Sequence, residues 1–432
     1  MSSPMHISTT GADPNPTGIG PISAAEQMAE ALQEASHQTN EIVEVQLGSD
    51  NARVTCPLSR LSRALVLDNG SQAVKFGYSG DASPISELLS VVGRIKYVPS
   101  CWFGGRGMKD VVVGAEVLQR QSLLHNRWPI QGSRIDDWDD LEALWWNVFY
   151  TELKVDPKEH PLLAMAPLGL SRKESERMTT MVFEYFECPE FFTSDSAPLA
   201  LYATGRTTGL VVDSGHCRTA AVPVYEGFPL ANAAQTLDIA GRDITRHLRS
   251  LLAESHPAIT SKTDELTIRN VKEYCCYITE NPYLAILNKR WEEQSYTLPD
   301  GKTMHLGTER FRAPEPMFSP LIGLPATVLR AIMRSDVKLR DELSQDIVLA
   351  GGNTLFPGFA DRLQQGLSAM SPTGMKFSVV TPPDTKYSAW LGGSMLASLS
   401  TFRDICIRAE EYNEYGPVMM RRKCWGLGVA SG

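Results

Sequence analysis

The sequence predicts an α/β protein with two similar lobes, each of which begins with a strand–turn–strand hairpin. Segments with strand-like and helix-like patterns alternate from residue 63 onward, which indicates sheets covered by helices. A strand, a tight turn and a return strand occur twice, and each time an aspartate ends the first strand, at Asp68 and at Asp213. A third strand ends in the glycine pair Gly351-Gly352. A hairpin repeated at so long an interval predicts two similar lobes rather than a solenoid.

The composition of the chain favours large cores and a reducing compartment. Of 432 residues, 43% are hydrophobic and 21% charged. The net charge is −9 with no recurring basic stripe, so direct sequence-specific binding of nucleic acid is not expected. No apolar stretch approaches the roughly 20 residues of a membrane helix, so no membrane span is expected. The eight cysteines include no CxxC pair, which favours free thiols over a disulfide framework or a zinc site.

The first 62 residues differ from the rest of the chain. Residues 1–21 are rich in Ser, Thr, Gly and Pro, which is typical of a disordered tail. Ser23 and Glu26 fit a capping box, and apolar residues follow at helical spacing as far as Ala35. We therefore expect one short amphipathic helix in an otherwise largely disordered extension. That helix is either marginal or a docking segment for a partner.

The folded part of the chain begins with the first hairpin. Aliphatic and β-branched runs bounded by turn residues predict the strands of both hairpins, which are Ala64–Leu67 with Ala73–Tyr78 and Leu210–Val212 with Thr219–Tyr225. The third strand, Asp346–Ala350, is followed by a predicted helix at Pro357–Ser368. Helical spacing also covers Trp138–Leu153, Ser171–Phe186, Gly241–Leu252 and Leu266–Tyr277.

The three turns together suit the phosphates of a nucleotide with bound Mg²⁺. Glycine lets backbone amides approach an anion closely, and Lys75 in the first return strand supplies a cation. Asp68 and Asp213 are placed to reach the metal through its waters. Asp-x-Gly alone is weak evidence because it occurs in many turns. Two equivalent copies together with the glycine pair make the prediction much stronger.

Longer motifs, in the same order along the chain, resemble those of the actin family. They are Leu67–Ser71 with Val74-Lys75, Gly205–Gly215, Leu237–Asp243, Gly392–Phe402 and the end of the chain from Glu411 to Cys424. The resemblance covers residues 63–424 and identifies the chain as a divergent, actin-related member of the family rather than conventional actin.

The resemblance implies the fold of the superfamily of actin, heat-shock chaperones and sugar kinases, in which two lobes of two subdomains each surround a nucleotide cleft. It divides the chain into an extension at 1–62 and an actin-like domain at 63–432. The small lobe then comprises about 63–203 and 388–432, with an outer tip at 90–127. The large lobe comprises about 204–387, with an outer part at 240–325.

The resemblance also implies a ligand, which is ATP or ADP with Mg²⁺, or with Ca²⁺ in vitro. The residues implied to hold it are Asp68, Gly70, Ser71, Gln72, Lys75, Asp213, Gly215, His216, Arg269, Lys272, Glu273, Gly351, Gly352, Phe356 and Lys386. Among these, Asp68 and Asp213 are to hold the metal through water. Arg269–Glu273 resembles the helix that contacts the adenosine, and Lys386 resembles the lysine beside the adenine.

Hydrolysis is expected to be weak or absent, because three groups around the attacking water differ from actin. The position of actin's glutamine falls on Ser196, an aspartate is replaced by His216, and a histidine is replaced by Ala220. Losing even one positioning group in phosphoryl transfer typically costs orders of magnitude in rate. Asp195 is interpreted as a cap for the helix that follows it. No catalytic residue is therefore assigned.

Two further departures concern the nucleotide itself. Gln72 stands where the family has a glycine, and a positive φ at this residue would cost about 1 kcal/mol. His216 either adds a cation near the γ-phosphate or fills space, and we favour the second interpretation.

Surfaces that form filaments in actin are also altered. Trp102 and Phe103, in a glycine-rich loop at the outer tip, either anchor a partner or fold back onto the lobe. Phe318–Pro325 is shorter than actin's interstrand plug, and changes at both ends of a head-to-tail interface argue against a filament. Four residues resemble the apolar groove that receives partner helices, or else only pack the hinge; they are Tyr202, Leu396, Leu399 and Phe402.

The resulting hypothesis is an interaction subunit whose bound ATP stabilises a closed shape. Such a subunit belongs to a larger cytoskeletal or chromatin-associated assembly, for instance an actin-like, dynein-linked or chromatin-remodelling complex. Its location is the cytoplasm and cytoskeleton, with the nucleus as the alternative. The competing hypothesis is an ATP-hydrolysing, filament-forming actin-like protein. A small-molecule kinase is disfavoured because the actin-like C-terminal half leaves no room for a sugar pocket.

Overall fold

The computed structural model describes residues 63–96, 111–120, 123–132, 134–166, 169–260, 263–319, 322–371 and 374–424, and the backbone of two short strands at 43–45 and 54–56. In chain order the strands are β1 (Val43–Val45), β2 (Val54–Cys56), β3 (Leu65–Asn69), β4 (Ala73–Tyr78), β5 (Ser86–Leu89), β6 (Val92–Ile95), β7 (Val111–Val113), β8 (Leu124–Arg127), β9 (Ile130–Gln131), β10 (Arg134–Ile135), β11 (Leu162–Ala166), β12 (Glu190–Asp195), β13 (Gly209–Ser214), β14 (Thr219–Tyr225), β15 (Phe228–Pro229), β16 (Gln235–Leu237), β17 (Gln294–Thr297), β18 (Thr303–Leu306), β19 (Ile347–Ala350), β20 (Val379–Val380) and β21 (Ile407–Arg408).

The α-helices are α1 (Ala115–Gln119), α2 (Trp138–Trp146), α3 (Arg172–Thr180), α4 (Ser196–Tyr202), α5 (Gly241–Ser255), α6 (Pro257–Thr260), α7 (Glu265–Cys275), α8 (Pro282–Leu287), α9 (Glu309–Arg312), α10 (Leu324–Arg334), α11 (Arg340–Gln345), α12 (Phe359–Met370), α13 (Ser388–Ala397), α14 (Phe402–Ile405), α15 (Ala409–Tyr415) and α16 (Met420–Lys423). Two π-helical segments extend α2 and α3, at Asn147–Leu153 and Met181–Tyr185. Short 3₁₀ segments lie at Pro157–Glu159, Glu315–Phe318, Val337–Leu339, Gly352–Leu355 and Gly416–Met419.

The first large sheet contains the first predicted hairpin. Its strand order is β21-β12-β11-β3-β4-β5, in which β3, β11 and β12 run parallel and β4 returns antiparallel to β3. Every residue of β3 is buried, as expected for a central strand with helices on both faces. The rings of Trp145, Phe149 and Phe186 pack together in the core beside it. The predicted hairpin at Asp68 is therefore confirmed.

The second large sheet contains the other two predicted turns. Its strand order is β15-β14-β13-β19-β20, and β16 pairs with β14. β13 and β14 form the predicted antiparallel hairpin, while β13 and β19 run parallel with Asp213 opposite Ala350. Because parallel strands end at the same edge of a sheet, Asp213 and the glycine pair after Ala350 lie side by side.

Two helices connect the two sheets. In α4, Leu199 packs into the core of the first sheet and Ala200 packs against the second. The neighbouring helix α13 approaches α4 closely at Gly392, where a Cβ atom would collide with the carbonyl oxygen of Leu199. Each large sheet thus has its own core, and α4 and α13 join them into the predicted two-lobed α/β fold. The exact lobe boundaries stay predictions.

Smaller sheets lie beyond each large sheet in sequence. β7, β6 and β8 form a three-stranded sheet with a small core of Val91, Val112, Val117 and Leu124, within the predicted outer tip. β17 pairs with β18 within the predicted outer part of the large lobe. β9 and β10 form a short hairpin that leads from β8 into α2.

The helices predicted within residues 138–277 are confirmed as α2, α3, α5 and α7, although their ends differ from the prediction. Helix α5 continues to Ser255, and α7 ends at Cys275. The helix predicted at Pro357–Ser368 begins later, at Phe359, because Gly358 adopts a φ of +84° and cannot continue a right-handed turn. In the part of the chain that the structure describes, no helix is long and apolar enough to span a membrane.

Some predictions fall on residues outside the described ranges. The expected amphipathic helix ending at Ala35 and the tip-loop pair Trp102 and Phe103 are among them. Within the extension, the structure describes only the antiparallel pairing of β1 with β2. The described cysteines carry free thiols, as expected; they are Cys188, Cys217, Cys275, Cys276, Cys406 and Cys424.

Candidate functional site

A cavity of about 390 Å³ lies where the three predicted turns meet. All fifteen residues expected to hold a nucleotide line it, from Asp68 in the first sheet to Lys386 before α13. Its volume is within the range of pockets that bind small molecules and cofactors. Ser196 also lines the cavity, whereas Ala220 is buried in the core behind β13.

In each turn the amide of one glycine is engaged with a backbone carbonyl. Gly70 N donates to Asp68 O at 3.0 Å, Gly215 N to Arg218 O at 2.8 Å, and Gly351 N to Thr385 O at 2.8 Å. The amides that come next along the chain are different. Those of Ser71, His216 and Gly352 donate to no protein group within the described residues, although all three residues line the cavity. Unsatisfied amides of this kind are donors for an anion.

Glycine is required in these turns for steric reasons. A Cβ on Gly70 would lie 2.5 Å from Ala73 O, inside the first hairpin. Gly351 has a φ of +87°, and a Cβ there would collide with Ser214 O. Gly352 differs, because a Cβ there would meet nothing within 4 Å. Its open side faces a space that a ligand can occupy.

Two asparagines hold the turns in place, and sequence analysis did not identify either. Asn69 donates to Met165 O at 2.9 Å and accepts from Trp145 Nε1 at 2.9 Å. Asn353 donates to Gly215 O at 2.7 Å, which ties the third turn to the second. Because Asn353 immediately follows the glycine pair, its position was the one signal that could have indicated this role.

Several charged side chains line the cavity. The cationic ones are Lys75, Arg218, Arg269, Lys272 and Lys386, and the carboxylates are Asp68, Glu87, Asp213 and Glu273. Lys75 Nζ lies 2.5 Å from Asp68 Oδ2, and Lys386 Nζ lies 2.8 Å from Glu87. Glu87 was not predicted, because β5 carries no motif.

The third of these carboxylates, Asp213, has two partners. Ser196 Oγ donates to Asp213 Oδ2 at 2.8 Å, and Arg218 Nη2 lies 3.6 Å from the same oxygen. Sequence analysis did not single out Arg218. Arg218 comes just before the return strand of the second hairpin, and Lys75 lies in the return strand of the first. Comparing the two hairpins could therefore have identified Arg218. Each hairpin thus supplies an aspartate and a cation that pairs with it.

A divalent metal fits this site only through its waters. Among the described residues, no group of three or more His, Cys, Asp or Glu side chains is arranged to hold a metal ion directly. Asp68 and Asp213 face the cavity, as the prediction requires, but each is already paired with a cation. Phosphate oxygens and water would therefore supply most ligands of Mg²⁺, with the two carboxylates in contact with those waters.

The surroundings of His216 favour its neutral form in the ligand-free protein. Burial lowers the pKa of its imidazole to about 3, and neighbouring cations lower it further. Those cations are Lys272, Arg269, Arg242 and Arg246. The ring faces the indole of Trp128, with their centroids 6.3 Å apart. In the ligand-free protein this favours a neutral ring that packs against Trp128, and the space-filling interpretation of His216 stays a prediction.

Gln72 makes a contact across the cavity. Its side-chain amide lies against the Arg269 guanidinium, and with the amide oxygen assigned to that side it accepts from Arg269 Nε at 2.8 Å and also from Arg269 Nη1. Gln72 has no positive φ, so the strain considered for this position does not arise. The side chain that replaces glycine here joins β3–β4 to helix α7.

Lys272 and Phe356 form the buried end of the cavity. Lys272 is 3% exposed, and its Nζ donates to Gly241 O at 3.2 Å. Burial lowers the pKa of this ammonium to about 8. Phe356 is 7% exposed and packs into the core of the second sheet, so only part of its ring faces the cavity. Glu273, more exposed, pairs with Arg269 at 3.4 Å.

The interpretation of Asp195 as a side-chain cap is wrong. Asp195 occupies the N-cap position of α4, but its carboxylate makes no capping hydrogen bond. Pro198 at the third helical position lacks one of the two N–H groups that such a cap can bind.

The four residues assigned to a partner groove are not equally accessible. Phe402 is 2% exposed, and its ring meets that of Phe192 at 6.0 Å. Tyr202 packs so closely on Gly227 that a Cβ there would collide with its hydroxyl. Leu396 and Leu399 are partly buried against the first core. Phe402 thus packs within the first core and Tyr202 contacts the turn at Gly227, and the choice between a partner groove and a hinge stays a prediction.

The comparison with known protein families gives one match. The family model for actin matches residues 60–425. This range contains all three turns, both large sheets and every residue of the cavity described above.

Proposed function

The chain belongs to the actin family, and we propose that it binds ATP or ADP in the cavity between its two lobes, with weak hydrolysis or none. The observation that carries this proposal is the set of three unengaged amides at Ser71, His216 and Gly352 around one cavity. Backbone amides at glycine-rich turns are suited to phosphate oxygens. The nearby cations Lys75 and Arg218 favour the same ligand.

Slow hydrolysis is supported by the groups near the phosphate end. Ser196 is hydrogen-bonded to Asp213 at 2.8 Å, so its short side chain is engaged with the carboxylate. The surroundings of His216 favour a neutral ring that packs on Trp128, and Ala220 is buried away from the cavity. Positioning of the nucleophile accounts for much of the rate in phosphoryl transfer, and none of these side chains provides it.

We further propose that the nucleotide acts as a structural ligand in a multi-subunit protein assembly. A ligand at about 100 times its Kd stabilises the folded state by about 2.7 kcal/mol without being hydrolysed. Such an assembly would be cytoskeletal or chromatin-associated, in the cytoplasm or alternatively in the nucleus. Affinity purification with mass spectrometry identifies the partners. Light scattering in polymerising salt tests the alternative of a filament-forming protein.

The variant Gly352→Ala tests the binding proposal. Its added methyl group meets no protein atom within 4 Å, so we expect the thermal midpoint of the nucleotide-free protein to stay unchanged. Mg-ATP should raise the midpoint of the wild type, and this increase should be much smaller in G352A because the methyl group occupies space that a phosphate needs. An unchanged midpoint for the wild type with saturating Mg-ATP would contradict the proposal.

A further inference from the structure

We propose that Arg218 is a phosphate-binding residue that supplies, from the protein, much of the positive charge that a divalent cation would otherwise bring to the nucleotide. The site would then bind ATP almost as tightly without a divalent cation as with one. This inference rests on the proposed function and specifies the electrostatics of the same cavity.

The backbone places Arg218 at the phosphate end of the cavity. Its carbonyl oxygen accepts from Gly215 N at 2.8 Å, which closes the turn that presents the amide of His216. Arg218 also lines the cavity, and its side chain is only 16% exposed. A guanidinium that lines the same cavity as an unengaged amide can add a charge-assisted donor for an anion there.

Asp213 orients this guanidinium. Arg218 Nη2 and Ser196 Oγ lie 3.6 Å and 2.8 Å from the same carboxylate oxygen. A guanidinium has five N–H donors in a rigid fork, so it can pair a carboxylate and a phosphate oxygen at the same time. Its charge is also permanent.

The first hairpin has the same arrangement. Lys75 Nζ lies 2.5 Å from Asp68 Oδ2. Both carboxylates that face the phosphate end are therefore neutralised by a cation of their own hairpin, and neither needs a metal ion to offset its charge. Since the described residues also hold no direct metal cluster, Mg²⁺ would gain little from the protein beyond contacts with its waters.

The experiment is a calorimetric titration of ATP into nucleotide-stripped full-length protein, in Mg²⁺ and in EDTA. We expect the Kd of the wild type to change by no more than about threefold on removal of Mg²⁺. In Arg218→Gln the same removal should weaken binding roughly ten- to hundredfold, the range of a charge-assisted hydrogen bond. Mg²⁺ should restore much of the affinity of R218Q, because it replaces the missing cation.

Two variants complete the test. Arg134→Gln removes the same charge from a side chain that is 80% exposed, outside the cavity lining, and should behave like the wild type. Arg218→Lys keeps a cation and should remain nearly independent of Mg²⁺. If the wild type loses as much affinity in EDTA as R218Q does, the inference about Arg218 is wrong while the proposed function stands. If the folded wild type binds no ATP in either solution, both are wrong.

Discussion

Ser196 and Arg218 show how single side chains determine the chemistry of the cavity. Both contact Asp213 Oδ2, at 2.8 Å and 3.6 Å. The hydroxyl donates a hydrogen bond to the carboxylate, and the guanidinium offsets its charge. Ser196 is engaged with Asp213, and a guanidinium remains protonated at all relevant pH values. These two contacts therefore support the proposal of binding with weak hydrolysis or none.

Restoring the glutamine of actin at Ser196 should not restore hydrolysis. In Ser196→Gln we expect the rate of phosphate release in a single turnover to stay within about tenfold of the wild-type rate, because His216 and Ala220 still differ from actin. Quench-flow measurement with Mg-ATP checks this result. The thermal midpoint of the variant serves as the control for folding. A sharp recovery of turnover from this one change would show that the three positions do not act together.

At this scale the sequence predicted fifteen residues of the cavity, but it missed others such as Arg218 and Glu87 and did not indicate how the side chains pair. The positions of Asp68 and Asp213 followed from the ends of two strands. The contact between Arg218 and Asp213 depends on the four-residue turn closed by Gly215, and Gln72 reaches Arg269 across 197 positions that spacing alone cannot bring together. Interactions that depend on tertiary packing have no local signal.

Helix α7 illustrates the energetics of one element. It runs beside α5, and Lys272 on it is buried with its ammonium on the carbonyl of Gly241. Burying a charged group costs free energy unless it is well paired. An anionic ligand in the cavity would offset that cost, which links the stability of α7 to binding.

Replacing Lys272 by methionine should therefore stabilise the nucleotide-free protein and weaken binding. We expect Lys272→Met to raise the free energy of unfolding by about 1–3 kcal/mol at pH 7, as is common when buried ionic groups give way to apolar ones of similar size. Urea unfolding measures the first effect and calorimetry with ATP the second. A variant that is less stable than the wild type without nucleotide would contradict this account.

The difference in the free energy of unfolding between the wild type and K272M should also depend on pH. The pKa of Lys272 is about 8 in the folded protein and 10.5 ordinarily, so between these values the unfolded chain binds more protons. The stability of the wild type relative to K272M therefore rises with pH in this window, and the cost of the lysine is complete only below about pH 8. Urea unfolding of both proteins at pH 7 and pH 10 measures the change. A difference that stays constant would contradict the lowered pKa.

Helices and hairpins were predictable where the spacing of apolar residues and the residues at the ends of a segment indicated the same element. The helices α2, α3, α5 and α7 and both hairpins follow from apolar spacing and from residues that end them. Two features had no such signal. Helix α12 starts at Phe359 because of the φ of Gly358, and the carboxylate of Asp195 occupies the N-cap position of α4 without making a capping hydrogen bond.

Contacts between the lobes determine how the whole molecule holds a ligand. Trp128, between β8 and β9, faces His216 in the second hairpin with ring centroids 6.3 Å apart. Glu87 on β5 pairs with Lys386 at 2.8 Å, and Gln72 accepts from Arg269. These contacts join segments of the two predicted lobes around the cavity, so ligand release requires at least some of them to open.

Removing Trp128 should accelerate release of the nucleotide. Trp128→Ala deletes the ring contact with His216, and aromatic pairs of this kind contribute about 0.5–1.5 kcal/mol beyond their buried area, so we expect a roughly two- to tenfold faster dissociation. Stopped-flow displacement of a fluorescent ATP analogue measures the rate. Trp146→Ala is the matched control, since that indole is 43% exposed and pairs with Tyr150 away from the cavity. Equal acceleration in both variants would refute a specific role for Trp128.

The two-lobed architecture was predictable because a repeated hairpin and the family resemblance agreed. The packing that joins the two lobes was less predictable from the sequence. It depends on close packing of α4 on α13 at Gly392. The sequence assigned Phe402 and Tyr202 to a surface groove or a hinge without deciding between them. Phe402 is buried and Tyr202 is partly buried, and the choice between a groove and a hinge stays a prediction.

The claim that ATP is bound but not consumed is tested most directly by the fate of the bound molecule. Full-length protein in excess over γ-labelled Mg-ATP would be incubated for many minutes, separated from free nucleotide, denatured and analysed for ATP, ADP and phosphate. This account predicts that the label stays with the protein and is recovered as intact ATP. Label that stays free throughout, or that appears quickly as inorganic phosphate, would contradict it.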